Sequence, residues 1–378
     1  MKTICELLGI EYPILAFSHQ RDVVAAVSRA GGLGVLGAVT YSSAQLEVEL
    51  DWIEGEIGDK HYGIDVLIPA SLGGLDKVEQ SDLDNIRLDD LLPEEHRKFL
   101  DDMLEKYGVP PLPETKSGRV PGESIGGLAL PATLVDVALD HPISLVASAL
   151  GPPPSSVVEA AHERGVPVVA LVGTVQHALR QRDAGVDIIV AQGTEAGGHT
   201  GEISTMVLVP EVVEAVAPLP VLAAGGIASG RQMAAAMALG AQGVWTGSVW
   251  LMTEEAETHP VVKDKFVAAT SRDTVRSRSR TGKPARQLRT AWTDEWDGPT
   301  SPGTLPMPLQ PLLVEEALRR IGHAASAGNE GARKLANYFV GQVVGSLKSV
   351  RSARQVVLDM VQEYADTVAD LAESLNAE

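Results

Sequence analysis

The strongest constraint on the fold is a repeated alternation. Short, apolar, β-branched runs recur along the chain, and a stretch with helical spacing follows each. The runs are YPILA (12–16), GGLGVLGA (31–38), HYGIDVLIP (61–69), ISLVAS (143–148), VPVVALV (166–172), VDIIVAQ (186–192), LPVLAAGG (219–226) and GVWTG (243–247). Strands apolar on successive residues suit a parallel sheet buried on both faces, and parallel neighbours need crossover helices. The helical stretches include 21–30, 44–57 behind a Ser42 cap, 156–165 closed by Gly165, 174–185, 209–217 and 228–240. Eight strand-and-helix units predict a TIM (β/α)8 barrel. A doubly wound sheet is the alternative. It would carry its glycine fingerprint after the first strand, and here the glycines come late.

Composition agrees. Hydrophobic residues make up 44% and aromatics only 4%, a palette for close helix–sheet packing rather than for a β-sandwich. Against 31 basic residues stand 50 acidic ones, a net charge of -19. Such a surface repels nucleic acid and anionic lipid, so the expected partner is a small-molecule substrate, and a homo-oligomer is compatible. The single cysteine, Cys5, leaves no intrachain disulfide and no cysteine metal cluster, and it fits a reducing cytoplasm. Polar and acidic residues interrupt the N-terminal apolar run, unlike a signal peptide. No stretch reaches the ~20 apolar residues of a membrane span. A soluble, cytoplasmic protein is expected.

Two segments break the rhythm. Residues 71–130 are inserted after the third strand run and contain an acidic amphipathic helix, PEEHRKFLDDMLEKYG (93–108). An insertion at a strand's C-terminal end lies on the face where barrel active sites form, so it reads as a lid or as a plain surface excursion. After 252 come a basic loop, a proline-rich stretch and two long helical patterns, 313–325 and 353–375. The expected division is a barrel at 1–255 and a helical extension at 256–378, packed on it.

The glycines then carry chemistry. Gly225 and Gly226 follow the seventh strand run; Gly247 and Ser248 follow the eighth. Neighbouring strand-end loops whose backbone amides are unobstructed form an anion site, and phosphate is its usual occupant in a barrel. AQGTEAGGHTG (191–201) follows the sixth run on the same face. Gln192 offers a donor and an acceptor there, Gly197 and Gly198 let backbone approach a flat ring, and His199 can hydrogen-bond to ring or substrate. A phosphate at two loops with a ring across the mouth describes FMN.

These residues carry a family resemblance. AGGLGVLGA (30–38), YGIDVL (62–67), AQGTEAGGHTG (191–201), STMVLVP (204–210), LAAGGIASGRQMAAAMALGAQGVWTGSVWL (222–251) and LRT (288–290) resemble the nitronate monooxygenases, formerly 2-nitropropane dioxygenases, a family that includes FMN-dependent enoyl-ACP reductases. The resemblance implies a TIM barrel with non-covalent FMN, its phosphate on Gly225, Gly226, Gly247 and Ser248, and Gln192, Gly197 and Gly198 beside the ribityl chain and ring. Ala16, Phe17 and Ser18 stand where the family has an A-P-M-A-G loop against the flavin. The loop here reads AFSHQ and brings His19 instead. Asp65 replaces the usual asparagine, which puts a carboxylate, or a protonated acid if desolvated, near the ring. Ala170 stands where many members have a catalytic histidine. His199 matches the enoyl-reductase-like branch. His199 and His19 are therefore the catalytic candidates.

The implied activity is oxidation of an alkyl nitronate, or a similar small anion, with O2. One alternative is NAD(P)H-dependent reduction of an enone, enoyl thioester or quinone. Another is a non-redox barrel binding a phosphorylated metabolite, although no strand run carries a Schiff-base lysine. Arg272, Arg276, Arg278, Arg280, Lys283, Arg286 and Arg289 read as a solvated loop, a dimer contact or a cradle for CoA or NADPH phosphates. Glu195 reads as an acid–base group or as a cap of its own turn. Glu159 and His162 share a helix face, but no second pair completes a metal site, and no metal is expected.

Overall fold

The computed structural model describes residues 2–39, 41–67, 91–113 and 131–376. Its strands are β1 (Ile14–Ser18), β2 (Leu33–Gly37), β3 (Tyr62–Leu67), β4 (Val146–Ala149), β5 (Val168–Val172), β6 (Ile188–Gln192), β7 (Gly198–His199), β8 (Val221–Ala224), β9 (Gly243–Thr246), β10 (Thr274–Ser277) and β11 (Ala285–Leu288). Eight of them close a parallel barrel in the order β1-β2-β3-β4-β5-β6-β8-β9, and β9 pairs back onto β1 at Ile14–Val244 and Ala16–Thr246. This is the TIM barrel that the alternation predicts, and each expected run supplies one strand.

Two apolar layers explain the unbroken strands. Leu15, Leu33, Val35, Leu145, Val169, Ile188, Val190 and Leu222 fill the interior with Trp245. Their neighbours in the chain, Ile14, Leu36, Ile64, Val146, Val168, Ile189 and Val221, face the helices. The helix Ile4–Leu8, with a Thr3–Glu6 capping box, adds Ile4 and Leu8 to the inner layer at the strand-start end. The opposite end is left for the loops.

Most helices begin where the sequence signals them. Ser42 and Gln45 form a reciprocal cap on Ser43–Ile57, and Thr174 caps Val175–Asp183. One helix differs. The proline in VPEVVEAVA suggests a start at 209, yet the helix runs Thr205–Val216 with Pro210 inside it. A proline there removes one helical hydrogen bond. Burial of Leu208, Val209, Val212 and Val216 offsets that loss.

The described part of the insertion docks on the extension. Its helix, Glu94–Lys106, packs against Leu309–Ser326. Lys106 and the Tyr107 hydroxyl both donate to Glu295, and Arg320 donates to the carbonyls of Val109 and Pro110. Residues 68–90 and 114–130, on which the rest of the lid reading falls, lie outside the described residues. The last helix, Ala353–Asn376, lies on the barrel helix Gly230–Ala238. The approach is close: a Cβ on Gly230 would collide with Met360 O and Tyr364 N, and Gly230 N donates to Glu363 at 2.9 Å. Gly230→Val is expected to cost about 2–3 kcal/mol by overpacking, with earlier proteolysis after residue 352. Urea unfolding and limited proteolysis read this; wild-type behaviour in both would contradict the docking.

Candidate active site

The barrel mouth divides into sectors. In the β1–β3 sector, His19 follows β1 and lays its ring on Gly37. A Cβ at Gly37 would lie 2.6 Å from His19 Nδ1, so glycine is required there. Nδ1 is 3.0 Å from Gly37 O. A carbonyl only accepts, so Nδ1 carries the hydrogen and Nε2 keeps its lone pair. Desolvation lowers the pKa of His19, favouring this neutral form. The Tyr41 hydroxyl donates to His19 O at 2.8 Å and fixes the turn. Phe17 meets His19 edge-on at 5.1 Å and stacks near Trp245 at 6.3 Å, closing the interior beneath.

Asp65 lies opposite Gly37 in the β2–β3 register, and its neighbours Ile64 and Val66 face the helices, so Asp65 points inward. It is 8% exposed, and burial alone raises its pKa to about 7. Of the other first-strand candidates, Ala16 is fully buried in the helix-facing layer, and the Ser18 hydroxyl accepts from Gln20 N. Ala170 also faces the helices; the inward residues of β5 are Val169 and Leu171.

The β6 sector is held by Glu195. Its carboxylate accepts from Thr205 N at 3.0 Å and from the Thr205 hydroxyl at 2.9 Å. Glu195 therefore caps the helix beginning at Thr205, ten residues on, rather than its own turn. The Thr205 hydroxyl also lies 3.0 Å from Gly225 O, tying this loop to the end of β8. Glu195 O accepts from Gln342 N, and Ser248 Oγ accepts from Gly341 N at 2.8 Å. The start of the 3-10 turn Gln342–Ser346 in the C-terminal extension is thus held between the β6 and β9 loops.

The basic segment is not a loop. It forms the hairpin β10–β11, and β11 pairs with β7 at His199–Ala285. Arg286 is buried and donates to Thr194 O at 2.8 Å; Arg280 donates to Asn337 Oδ1 at 2.7 Å and lies over Phe339. Short, charged strands of this kind give no apolar signal. His199 Nε2 is 2.9 Å from Thr281 Oγ1, whose proton goes to Lys283 O at 3.2 Å. His199 Nε2 is then the donor, and Nδ1 keeps its lone pair. Burial, then the Lys283 charge, push His199 down to about 4, so its ring is neutral at pH 7. Phe339, 6.3 Å from His199, walls this side.

The glycines separate into two kinds. A Cβ at Gly197 would lie 2.8 Å from Gly341 N, and one at Gly225 would lie 3.0 Å from Gly193 O. The protein itself uses that space. A Cβ at Gly198 or Gly247 would meet nothing within 4 Å, and one at Gly226 only Glu195, at 3.4 Å. These three follow β6, β8 and β9, adjacent strands of the barrel, with Gln192 at the tip of β6. Elsewhere, His162 Nε2 lies 2.9 Å from Asp187 Oδ2. On the outside of the barrel, Glu47 and Asp51 of the helix Ser43–Ile57 converge with His141, in the turn after Pro131–Leu139, a grouping that sequence separation hides.

The sequence profile described as nitronate monooxygenase matches residues 2–363. A Mycobacterium tuberculosis relative named for monooxygenase activity is 63% identical over 97% of each chain. A Staphylococcus aureus relative named for nitronate monooxygenase activity is 29% identical over 90% of each. Among solved structures, a nitroalkane oxidase from Streptomyces ansochromogenes superposes with a TM-score of 0.77 at 26% identity, covering 98% of this chain and 100% of that one. FabK from Thermotoga maritima gives 0.70 at 28%, covering 99% of both. Among the described residues, no helix is long and apolar enough to cross a membrane.

A pH dependence follows from Asp65. Its folded pKa, about 7, lies above the ordinary value of 3.8, so the folded state binds the extra proton between those limits. The stability it contributes is present at low pH and lost as pH rises through 7. Three units at about 1.4 kcal/mol each set a ceiling of about 4 kcal/mol. Asp65→Asn in flavin-stripped protein should gain resistance to urea relative to wild type as the pH rises from 5 to 9. An equal difference at both pH values would contradict the assignment.

Proposed function

Because the chain belongs to the nitronate monooxygenase family, whose profile spans residues 2–363, we propose that it is an FMN-dependent oxidoreductase that oxidises an alkyl nitronate or a similar small anion with O2. The carrying observation is three glycines at the ends of neighbouring strands: a Cβ at Gly198 or Gly247 would meet nothing within 4 Å, and one at Gly226 would meet only Glu195, at 3.4 Å. The residues fit the group. Gly226, Gly247 and Ser248 would hold the phosphate through backbone amides; Gly198 and Gln192 would flank the ring, with Gly197 and Gly225 shaping the loops beneath. Ala16 and Ser18 would contribute backbone only, and Phe17 the floor. When bound, FMN supplies the two-electron chemistry that side chains lack.

The chain's own residues supply proton handling. His19 and His199 are both neutral imidazoles with one nitrogen unprotonated, suited to accept a hydrogen bond from a polar substrate atom rather than to deliver a proton. Asp65, titrating near neutrality, is the acid on the β3 side. Two neutral bases and one acid around a mouth walled by Phe339 orient a small substrate.

Two variants separate binding from turnover. Gly226→Glu puts a side chain and a negative charge in the phosphate cradle and should purify without FMN. His199→Ala should retain FMN and lose at least about tenfold in turnover. Stoichiometric FMN in the first, or full turnover in the second, would sink the corresponding role.

The FabK likeness favours a second reading, in which NAD(P)H reduces the flavin. Anaerobic mixing decides. The proposed activity predicts flavin bleaching by a nitronate and slow or no bleaching by NADH and NADPH; the reverse pattern would transfer the protein to the reductase class.

A further inference from the structure

The seven basic residues between 272 and 289 do not act as one patch. Arg286 bonds Thr194 O and the Thr274 hydroxyl, Arg276 bonds Thr200 O, Arg280 bonds Asn337 and Arg289 bonds Asp294. Arg272 and Arg278 point to solvent. Lys283 differs from all of them. It sits in the turn joining β10 to β11, two residues from the Thr281 hydroxyl that holds His199. Only its backbone is bonded: its amide donates to Thr281 Oγ1 and its carbonyl accepts from it. Its ammonium has no hydrogen bond and no ion pair among the described residues. It is partly buried, and desolvation lowers its pKa. Its charge reaches the imidazole of His199.

A half-desolvated ammonium without an acceptor is costly. A chain with 50 acidic residues could readily have supplied a carboxylate, and none is there. The net charge of -19 also makes the surrounding field unfavourable to anions. An anionic substrate would then need a cation at the point of docking. Beside Lys283, His199 Nδ1 is unbonded and Phe339 closes one side.

The geometry points to an oxyanion subsite at the hairpin tip, in which Lys283 holds the two negative oxygens of a small planar anion, a nitronate or a carboxylate, beside His199. The subsite rests on the mouth being the active site. It makes Lys283 a determinant of substrate charge. The hairpin thereby has two roles, since its arginines brace the β6 loop and its turn meets the substrate.

The test uses the flavin-loaded protein and a non-reacting pair, propionate and its neutral isostere propionamide, followed by the change in flavin absorbance at fixed ionic strength. Wild type should bind propionate and ignore propionamide. Lys283→Met should weaken propionate about tenfold, as expected when one partner of a partly desolvated charge pair is lost. Lys283→Arg should restore most of it, and Arg278→Met, which removes the same charge from the exposed face, should leave the affinity unchanged. FMN content and the urea midpoint of each variant show that it is folded and loaded. Wild-type propionate affinity in Lys283→Met, or equal weakening in Arg278→Met, would overturn the subsite while leaving the flavin reading intact. Protein that purifies colourless and takes up no FMN would overturn both.

Discussion

The geometry of the mouth depends on one carboxylate. Glu195 caps the helix at Thr205, and Thr205 in turn contacts the carbonyl of Gly225. The Glu195 carbonyl receives Gln342 from the extension, next to the Gly341 amide that meets Ser248. One residue thus joins the loop after β6, the glycine pair after β8, the loop after β9 and the C-terminal segment. Hydrogen bonds to a charged acceptor are stronger than neutral ones, and a helix N-terminus favours the negative charge. Glu195 is therefore committed to holding the platform, which leaves the acid–base work to other residues.

That commitment explains how the titratable groups are distributed. His19 is oriented by a backbone carbonyl and His199 by a hydroxyl, so each is held in one tautomer, with its free nitrogen known. Their supports lie in different sectors, one on β2 and one on the hairpin. Asp65 is the only one of the three that burial drives toward a proton rather than away from one. Below about pH 7, a protonated Asp65 and two neutral imidazoles avoid unpaired buried charge.

The barrel was legible because burial on both faces leaves apolar residues at successive positions, as in Ile188, Ile189, Val190 and Ala191. The sector of each glycine loop followed from strand order. The hairpin β10–β11 was not legible: TVRS and ARQL are short and charged, and their pairing partner is a two-residue strand. The start at Thr205 was hidden by Pro210 and set by a carboxylate ten residues upstream. Glycine identity was visible, but its purpose was not. Gly197 and Gly225 make room for the protein's own backbone, whereas a Cβ at Gly198 or Gly247 would meet nothing within 4 Å. Gly37, which seats His19, gave no signal beyond being a glycine in a strand.

The central claim is that a phosphate-bearing flavin occupies the cleft between the ends of β6, β8 and β9. A crystal structure of the protein grown with FMN tests it directly. The account predicts phosphate oxygens within hydrogen-bonding distance of the amides of Gly226 and Gly247, with the ring over Gly198 and between His19 and His199. FMN density at any other place, or a cleft closed by the protein's own side chains in the presence of saturating FMN, would contradict it.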